Sequence, residues 1–415
     1  MHFLSRLTLL ILLAIGLGGC ESSHAKKPTS VKKPPIIVCY SVPNKTWDLK
    51  ALYQKPAHTF GTTTGLVQEV YYENVPFQGK PTRVFAYLGR PEGKGPFPAM
   101  VLVHGGGGQA FANWAEMWAK RGYVALAMDT AGNGPGKVRL PDGGPDQSDI
   151  EKFQKFPTTD VKDMWTYHAV AAVIRGHSLL RSLPEVDANR IGITGISWGG
   201  YLTCIVAGVD DRLKCAIPVY GSGYLWEDSA WLAQFEKLGP EQSKRWCNLF
   251  DPSVYLPNVT CPILFVNRPT DFYYRLGVYQ KSYNLVKGPR TLHMDIKLGH
   301  SHPAGWNPKE IGLFADSILR HTAPLAQVTA MTIIENTTEA EVKGSAAITK
   351  GELCYTTDTG TYDKRKWQAV PAALNGNFVS AVLPKERPLT FFLNVIDERG
   401  AITSSPHKEL TAEDK

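Results

Sequence analysis

The 415-residue chain lacks any apolar run long enough to cross a bilayer; its longest, Leu7 to Leu17, falls well short of the about 20 residues that a spanning helix needs. A polytopic membrane protein is therefore excluded. Charge of one sign is also scarce. Lys and Arg number 45 against 38 Asp and Glu, a formal charge of +7. Residues 1–35 hold +4 of it, as Arg6, Lys26, Lys27, Lys32 and Lys33 against Glu21, so only +3 is spread over the rest. That argues against a nucleic-acid partner. Glycine (38) and proline (29) stay far below low-complexity levels, and no internal repeat is evident, which removes fibrous and solenoid architectures. Cysteines number 7, and the six besides Cys20 are an even count that permits bridges without specifying them.

What is present begins with an address. Arg6 precedes the apolar run, which ends in Leu17-Gly18-Gly19-Cys20. The run reads as an export signal covering residues 1–19, and the small residues before Cys20 match the pattern that leaves a lipid-modified cysteine at the new N-terminus. An ordinary cleaved signal with a chance cysteine is the alternative. Residues 20–35, rich in Ser, Lys and Pro, then serve as a tether. The expected protein is an exported bacterial lipoprotein, held at a membrane through Cys20 and facing the periplasm or the cell exterior. Cys204 and Cys215 fall in apolar patterns that suit buried thiols, and no disulfide is assigned.

Strand-like segments at Val67 to Tyr72 and Arg83 to Leu88 suggest an opening hairpin. Short apolar runs then alternate with helical patterns. The runs are Ala99 to Val103, Val124 to Met128, Ile191 to Ile196, Cys215 to Val219, Ile263 to Val266 and His293 to Leu298. Such runs between helices predict parallel strands buried on both faces, so the fold class is α/β with a doubly wound, mostly parallel sheet over residues 36–325. Residues 222–258 break the rhythm and predict a helical insertion or lid. From 326 to 415, short strand patterns separated by turn clusters predict a small all-β sandwich of immunoglobulin-like class.

The chemistry gathers where strands end. Gly195-Ile196-Ser197-Trp198-Gly199-Gly200 follows one apolar run and precedes a helical pattern. A serine on such a tight turn has its hydroxyl forced clear of the backbone, and the following helix adds a positive dipole end. Upstream, Val103 leads into His104-Gly105-Gly106-Gly107-Gly108. Glycines let amides face a ligand, so Gly106 or Gly107, together with the amide of Trp198, suit an oxyanion hole. No Gly-Lys-Ser/Thr follows, which sets aside a phosphate loop. Asp271 follows the run Ile263 to Val266 and is the candidate acid, with a turn or helix-cap role as its alternative. His300 and His302, in Gly299-His300-Ser301-His302, are the candidate bases. His300 is preferred because it lies next to a glycine just past the strand, and His302 is the alternative. The order serine, acid, histidine is that of α/β-hydrolases. A His-x-His pair could also ligate a metal, but no third ligand is identifiable. Neither a metal nor an organic cofactor is expected.

On these motifs, residues from about 66 to 322 resemble the α/β-hydrolase superfamily, and within it acetyl xylan esterases and dienelactone hydrolase-type enzymes, which also resemble the catalytic domains of prolyl-oligopeptidase-type peptidases. Arg121-Gly122-Tyr123-Val124-Ala125, Asp129-Thr130-Ala131-Gly132, Gly305-Trp306 and Phe314-Ala315-Asp316 add to the likeness. The sequence also departs from those families. Ser197 stands where dienelactone hydrolases carry cysteine, Gly106 stands where acetyl xylan esterases often place tyrosine, and the 415 residues show none of the blade repeats of the propeller that prolyl oligopeptidases carry. The resemblance implies serine-dependent ester hydrolysis with an acetylated carbohydrate as substrate; Trp198, Tyr224, Trp226, Trp231, Tyr273, Tyr274 and Trp306 lie on or near segments that should border the pocket, with Tyr224, Trp226 and Trp306 as the candidate sugar contacts and core or lid packing as the alternative. A prolyl-oligopeptidase-like peptidase and a non-catalytic glycan-binding lipoprotein are the alternatives.

Overall fold

The structure, a computed structural model, describes residues 46–414 apart from Ser345. Cys20, the expected signal and the tether lie outside the described residues. Among the described residues no helix is long and apolar enough to cross a membrane.

An antiparallel β-meander opens the fold: β1 (His58–Thr64), β2 (Val67–Phe77) and β3 (Lys80–Gly89). Next come β4 (Phe97–Val103), β5 (Val124–Met128), β6 (Val186–Ile196), β7 (Cys215–Val219), β8 (Ile263–Asn267) and β9 (Arg290–Met294). The nine strands form one sheet in the order β1-β2-β3-β5-β4-β6-β7-β8-β9, parallel from β5 to β9. Residues of β5, β7 and β8 are buried throughout, as strands covered on both faces must be.

The helices are α1 (Leu49–Leu52), α2 (Ala112–Lys120), α3 (Trp165–Arg181), α4 (Trp198–Val209), α5 (Leu232–Phe250), α6 (Leu276–Asn284), α7 (His302–Trp306) and α8 (Lys309–Leu319). Asp316 of α8 accepts from Tyr123 Oη at 2.6 Å and pairs with Arg121, which ties α8 to the end of α2. In residues 222–258 the chain forms α5 followed by two short 3-10 turns. Because β4 pairs with β5 on one side and β6 on the other, the crossovers leave it in opposite directions. This opens a crevice at the carboxyl ends of the strands, where α/β folds bind ligands.

One expectation needs correction. The strand predicted at His293 to Leu298 is β9 at Arg290–Met294, and residues 295–299 form a turn. Asp295 ends the strand by accepting from Lys297 N at 2.8 Å, a local bond that competes with the ladder.

Between Leu319 and Gln327 the chain leaves the α/β layer and enters an antiparallel β domain: β10 (Gln327–Val328), β11 (Thr332–Ile334), β12 (Thr337–Lys343), β13 (Ile348–Thr356), β14 (Gln368–Asn375), β15 (Phe378–Val382), β16 (Leu389–Asp397), β17 (Ile402–Ser404) and β18 (Lys408–Leu410). Leu353, Val379, Leu389, Phe391, Leu393 and Val395 form its own apolar core, consistent with a sandwich. It is docked, not tethered. Ser404 Oγ accepts from Met294 N at 2.8 Å, Asn394 Nδ2 donates to Met294 O at 3.2 Å, and Glu310 accepts from Ile402 N at 2.7 Å. The open edge of β9 is thereby covered, which protects it from pairing with another chain.

Candidate active site

Pairing places the motifs side by side. Val103 of β4 registers with Gly195 of β6, so the glycine loop and the serine turn emerge together at one sheet edge. Ser197 sits at φ 58°, ψ −115°, a conformation that costs of order 1–3 kcal/mol and is kept only where its surroundings enforce it. Here the Ser197 amide donates to Val219 O at 2.9 Å, and the turn packs so closely that a Cβ on Gly199 would lie 2.0 Å from Val103 O. Only glycine fits there. Trp198 begins α4, so its N–H is one of the helix donors without an intrahelical acceptor.

Asp271 and His300 meet at 2.6 Å, with the imidazole Nδ1–H donating to Oδ2. The other carboxylate oxygen accepts from the amides of Tyr273 (2.9 Å) and Tyr274 (2.8 Å). Asp271 is 1% exposed, so a charged acceptor is fixed at one end of the ring while Nε2 is left for a substrate-side proton. The imidazole is held flat by Tyr220, stacked at 4.1 Å between centroids with planes 19° apart, and is flanked by Tyr273 at 4.9 Å. Tyr220 is the residue after β7, adjacent to the Val219 carbonyl that holds Ser197, and its hydroxyl donates to Gly299 O. One residue thus bridges the serine turn and the histidine loop. Burial, followed by the charge of Asp271, pushes the Tyr274 phenol far above its ordinary value, with the Ser197 hydroxyl opposing the shift.

His302 does not share this arrangement. Its Nε2 accepts from Gly105 N at 2.9 Å, and burial together with the neighbouring His104 lowers its pKa to about 4. His300 and His302 therefore have different partners, and among the described residues no group of three or more His, Cys, Asp or Glu could hold a metal. Gly106 and Gly107 are exposed, and no acceptor among the described residues takes their amide hydrogens. Behind the serine turn, the ammonium of the buried Lys152 lies 4.5 Å from the Trp198 ring and 3.0 Å from Asp149, with its pKa lowered by burial.

The aromatic assignments change. Trp226 is 3% exposed and part of the core, so it has no face to offer a substrate. Tyr224 packs on Trp226 at 5.4 Å, and Trp306 packs on Phe111 and Trp114, each at 5.3 Å. The exposed ring beside His300 is Tyr273, next to exposed Phe272. Tyr273, two residues past Asp271, was among the aromatics expected at the pocket; Tyr220 gave no signal beyond its position at a strand end. Cys204, Cys215, Cys261 and Cys354 are buried free thiols.

The nine-stranded sheet with its serine turn, acid and histidine at the carboxyl edge is the α/β-hydrolase fold. Residues 48–227 match the family model described as acetyl xylan esterase. An acetyl xylan esterase from Paenibacillus sp. R4 superposes with a TM-score of 0.54 at 23% identity, over 65% of this chain and 92% of that one. Acetyl xylan esterase 1 from a Thermoanaerobacterium species gives 0.53 at 17%, over 66% and 93%. Among curated proteins, acetyl esterase Axe7A of Xylanibacter ruminicola is 23% identical over 204 residues, 43% of this chain and 44% of that protein. A Bacillus subtilis protein named as an uncharacterized peptidase, YuxL, is 25% identical over 252 residues, 52% and 34%. The chain thus spans less than half the length of the curated relatives it matches.

Proposed function

We propose that the chain is a serine carboxylic-ester hydrolase that removes acetyl groups from carbohydrate through an acyl-enzyme. The observation that carries this is the Asp271–His300 pair, bridged by Tyr220 to a strained Ser197 that lies beside a loop with two unpaired amides. Ser197 Oγ forms a bond to the ester carbonyl carbon as its proton passes to His300 Nε2, and Asp271 stabilises the resulting imidazolium. Negative charge on the carbonyl oxygen faces the N–H groups of Gly106 or Gly107 and Trp198. Collapse breaks the bond to the alcohol oxygen, which takes the proton from His300. Water then repeats the sequence and releases acetate. Tyr273 offers a flat face to a sugar ring at the mouth.

A fluorophosphonate probe should label the wild type and leave Ser197→Ala unlabelled; equal labelling of both would refute the assignment. The peptidase name of the Bacillus subtilis relative is the one observation for a second reading. Faster cleavage of a prolyl amide than of a short acetyl ester would favour it, whereas binding of xylan with no release of acetate would favour a glycan-binding role. Leu17-Gly18-Gly19-Cys20 supports a lipid anchor on Cys20. Cys20→Ala should then abolish partition of the exported protein into detergent.

A further inference from the structure

The polar groups of the glycine loop can be accounted for individually, as buried or constrained backbone requires. Gly105 N–H donates to His302 Nε2 at 2.9 Å. Gly105 C=O accepts from His104 Nδ1–H at 2.7 Å and from Gly108 N at 3.1 Å. The opposite nitrogen of His104 accepts from Thr130 N at 2.9 Å, and the Gly107 carbonyl accepts from the Lys137 ammonium. Among the described residues no acceptor takes the amide hydrogens of Gly106 and Gly107, the two free donors of the loop. The Gly105 carbonyl and the Gly106 amide belong to one planar unit, so drawing the carbonyl toward His104 turns the N–H the opposite way. The preceding unit, which carries Gly105 N–H, is held by His302.

We propose that His302 is a positioning residue for the oxyanion hole: as a hydrogen-bond acceptor it holds the Gly105 amide, and so fixes the rotation of the next peptide, which presents Gly106 N–H to the substrate carbonyl. This rests on the esterase reading above. The seat is built for that ring. A Cβ on Gly108 would stand 2.6 Å from both His104 Nδ1 and His302 Nε2, so glycine there is what lets two imidazoles close on one loop. Phe111 lies 4.8 Å from the His302 ring. Trp306, on the same short helix α7, wedges against Phe111 and Trp114, and Ser301 Oγ caps α7 by accepting from Ala304 N at 3.1 Å. The loop also touches the nucleophile, since a Cβ on Gly105 would lie 3.0 Å from Ser197 Cβ. Any rotation of the loop therefore registers at the reacting atoms. A ring that accepts at Nε2 must be neutral, and burial, reinforced by the neighbouring His104, lowers its pKa to about 4 and so keeps it neutral above that pH.

Two substitutions separate acceptor from shape. Gln at 302 can place an oxygen near the position of Nε2, whereas Leu fills similar space without an acceptor. With 4-nitrophenyl acetate, His302→Leu should lower kcat about 10- to 100-fold with KM within about twofold, because a misdirected oxyanion donor acts in the transition state alone. His302→Gln should recover most of kcat and keep the wild-type pH midpoint. Wild-type kcat in His302→Leu, a His302→Gln as impaired as His302→Leu, or a loss confined to KM would each overturn the proposal. Should His302→Leu not fold, His302→Asn, whose amide stops one bond short of Gly105, replaces it with the same expected loss. If wild-type Ser197 is not labelled by fluorophosphonate, or Ser197→Ala retains activity, the esterase reading has failed and not merely the role of His302.

Discussion

Gly199→Ala is the substitution for which the structure gives the most direct calculation. The added carbon would sit 2.0 Å from Val103 O and 2.7 Å from both Val103 C and His104 O, all backbone atoms at the root of the glycine loop. A relaxed contact needs about 3.4 Å, so β4 and the start of α4 must separate by roughly 1.4 Å, an overpacking that typically costs about 1–3 kcal/mol. The larger effect is geometric. The loop and Ser197 are on opposite sides of that contact, and a displacement of about 1 Å between nucleophile and oxyanion donors can lower kcat about 100-fold. Gly208→Ala supplies the control, since a Cβ there would meet Tyr255 O at 2.2 Å, an equivalent clash at the far end of the same helix. Urea unfolding and steady-state hydrolysis of a short acetyl ester should show both variants similarly destabilised, with kcat lost only in Gly199→Ala. The reasoning is wrong if Gly199→Ala turns over at the wild-type rate, or if folded Gly208→Ala loses as much.

Asp271→Asn keeps the shape of the acid but cannot hold His300 in the same tautomer, and kcat should fall by about 10⁴, read by stopped-flow with the same ester. His407, 7% exposed, has its pKa lowered to about 4 by burial. Between the unfolded value near 6.5 and 4 the unfolded chain binds the proton and the folded chain does not, so stability falls as pH falls through that window. His407→Leu should therefore lose about 2 kcal/mol less than wild type between pH 7 and pH 5 in urea titrations, and an unchanged pH slope would contradict this. Glu310→Ala leaves Ile402 N without its buried acceptor and should cost about 1–3 kcal/mol, measured as a lower unfolding midpoint with KM unchanged.

The sheet was legible because its parallel strands are continuous apolar runs bounded by turn chemistry; β5 and β7 occupy the residues expected of them. The strands of the β domain were read less completely. β12 (TTEAEVK) carries mostly polar side chains and is held by the more distant β15 as well as by adjacent β11, and β14 contains Pro371, which cannot donate to a ladder. At the site, the serine turn and glycine loop are local motifs and can be read as such. Which of two histidines reaches Asp271 is not local. It depends on where α7 begins, since a helix starting at His302 sends that ring toward Gly105 and leaves His300 in the preceding loop. Whether Trp226 or Tyr273 has a free face is likewise a matter of packing, to which a list of aromatics is blind.

Docking of β17 on β9 also has a mechanical side. Met294, the last residue of β9, is gripped by Ser404 and Asn394, and only five residues separate it from the imidazole of His300. A displacement of the final ninety residues, by a clipping protease or a bound polymer, would therefore act within a few residues of the His300 ring.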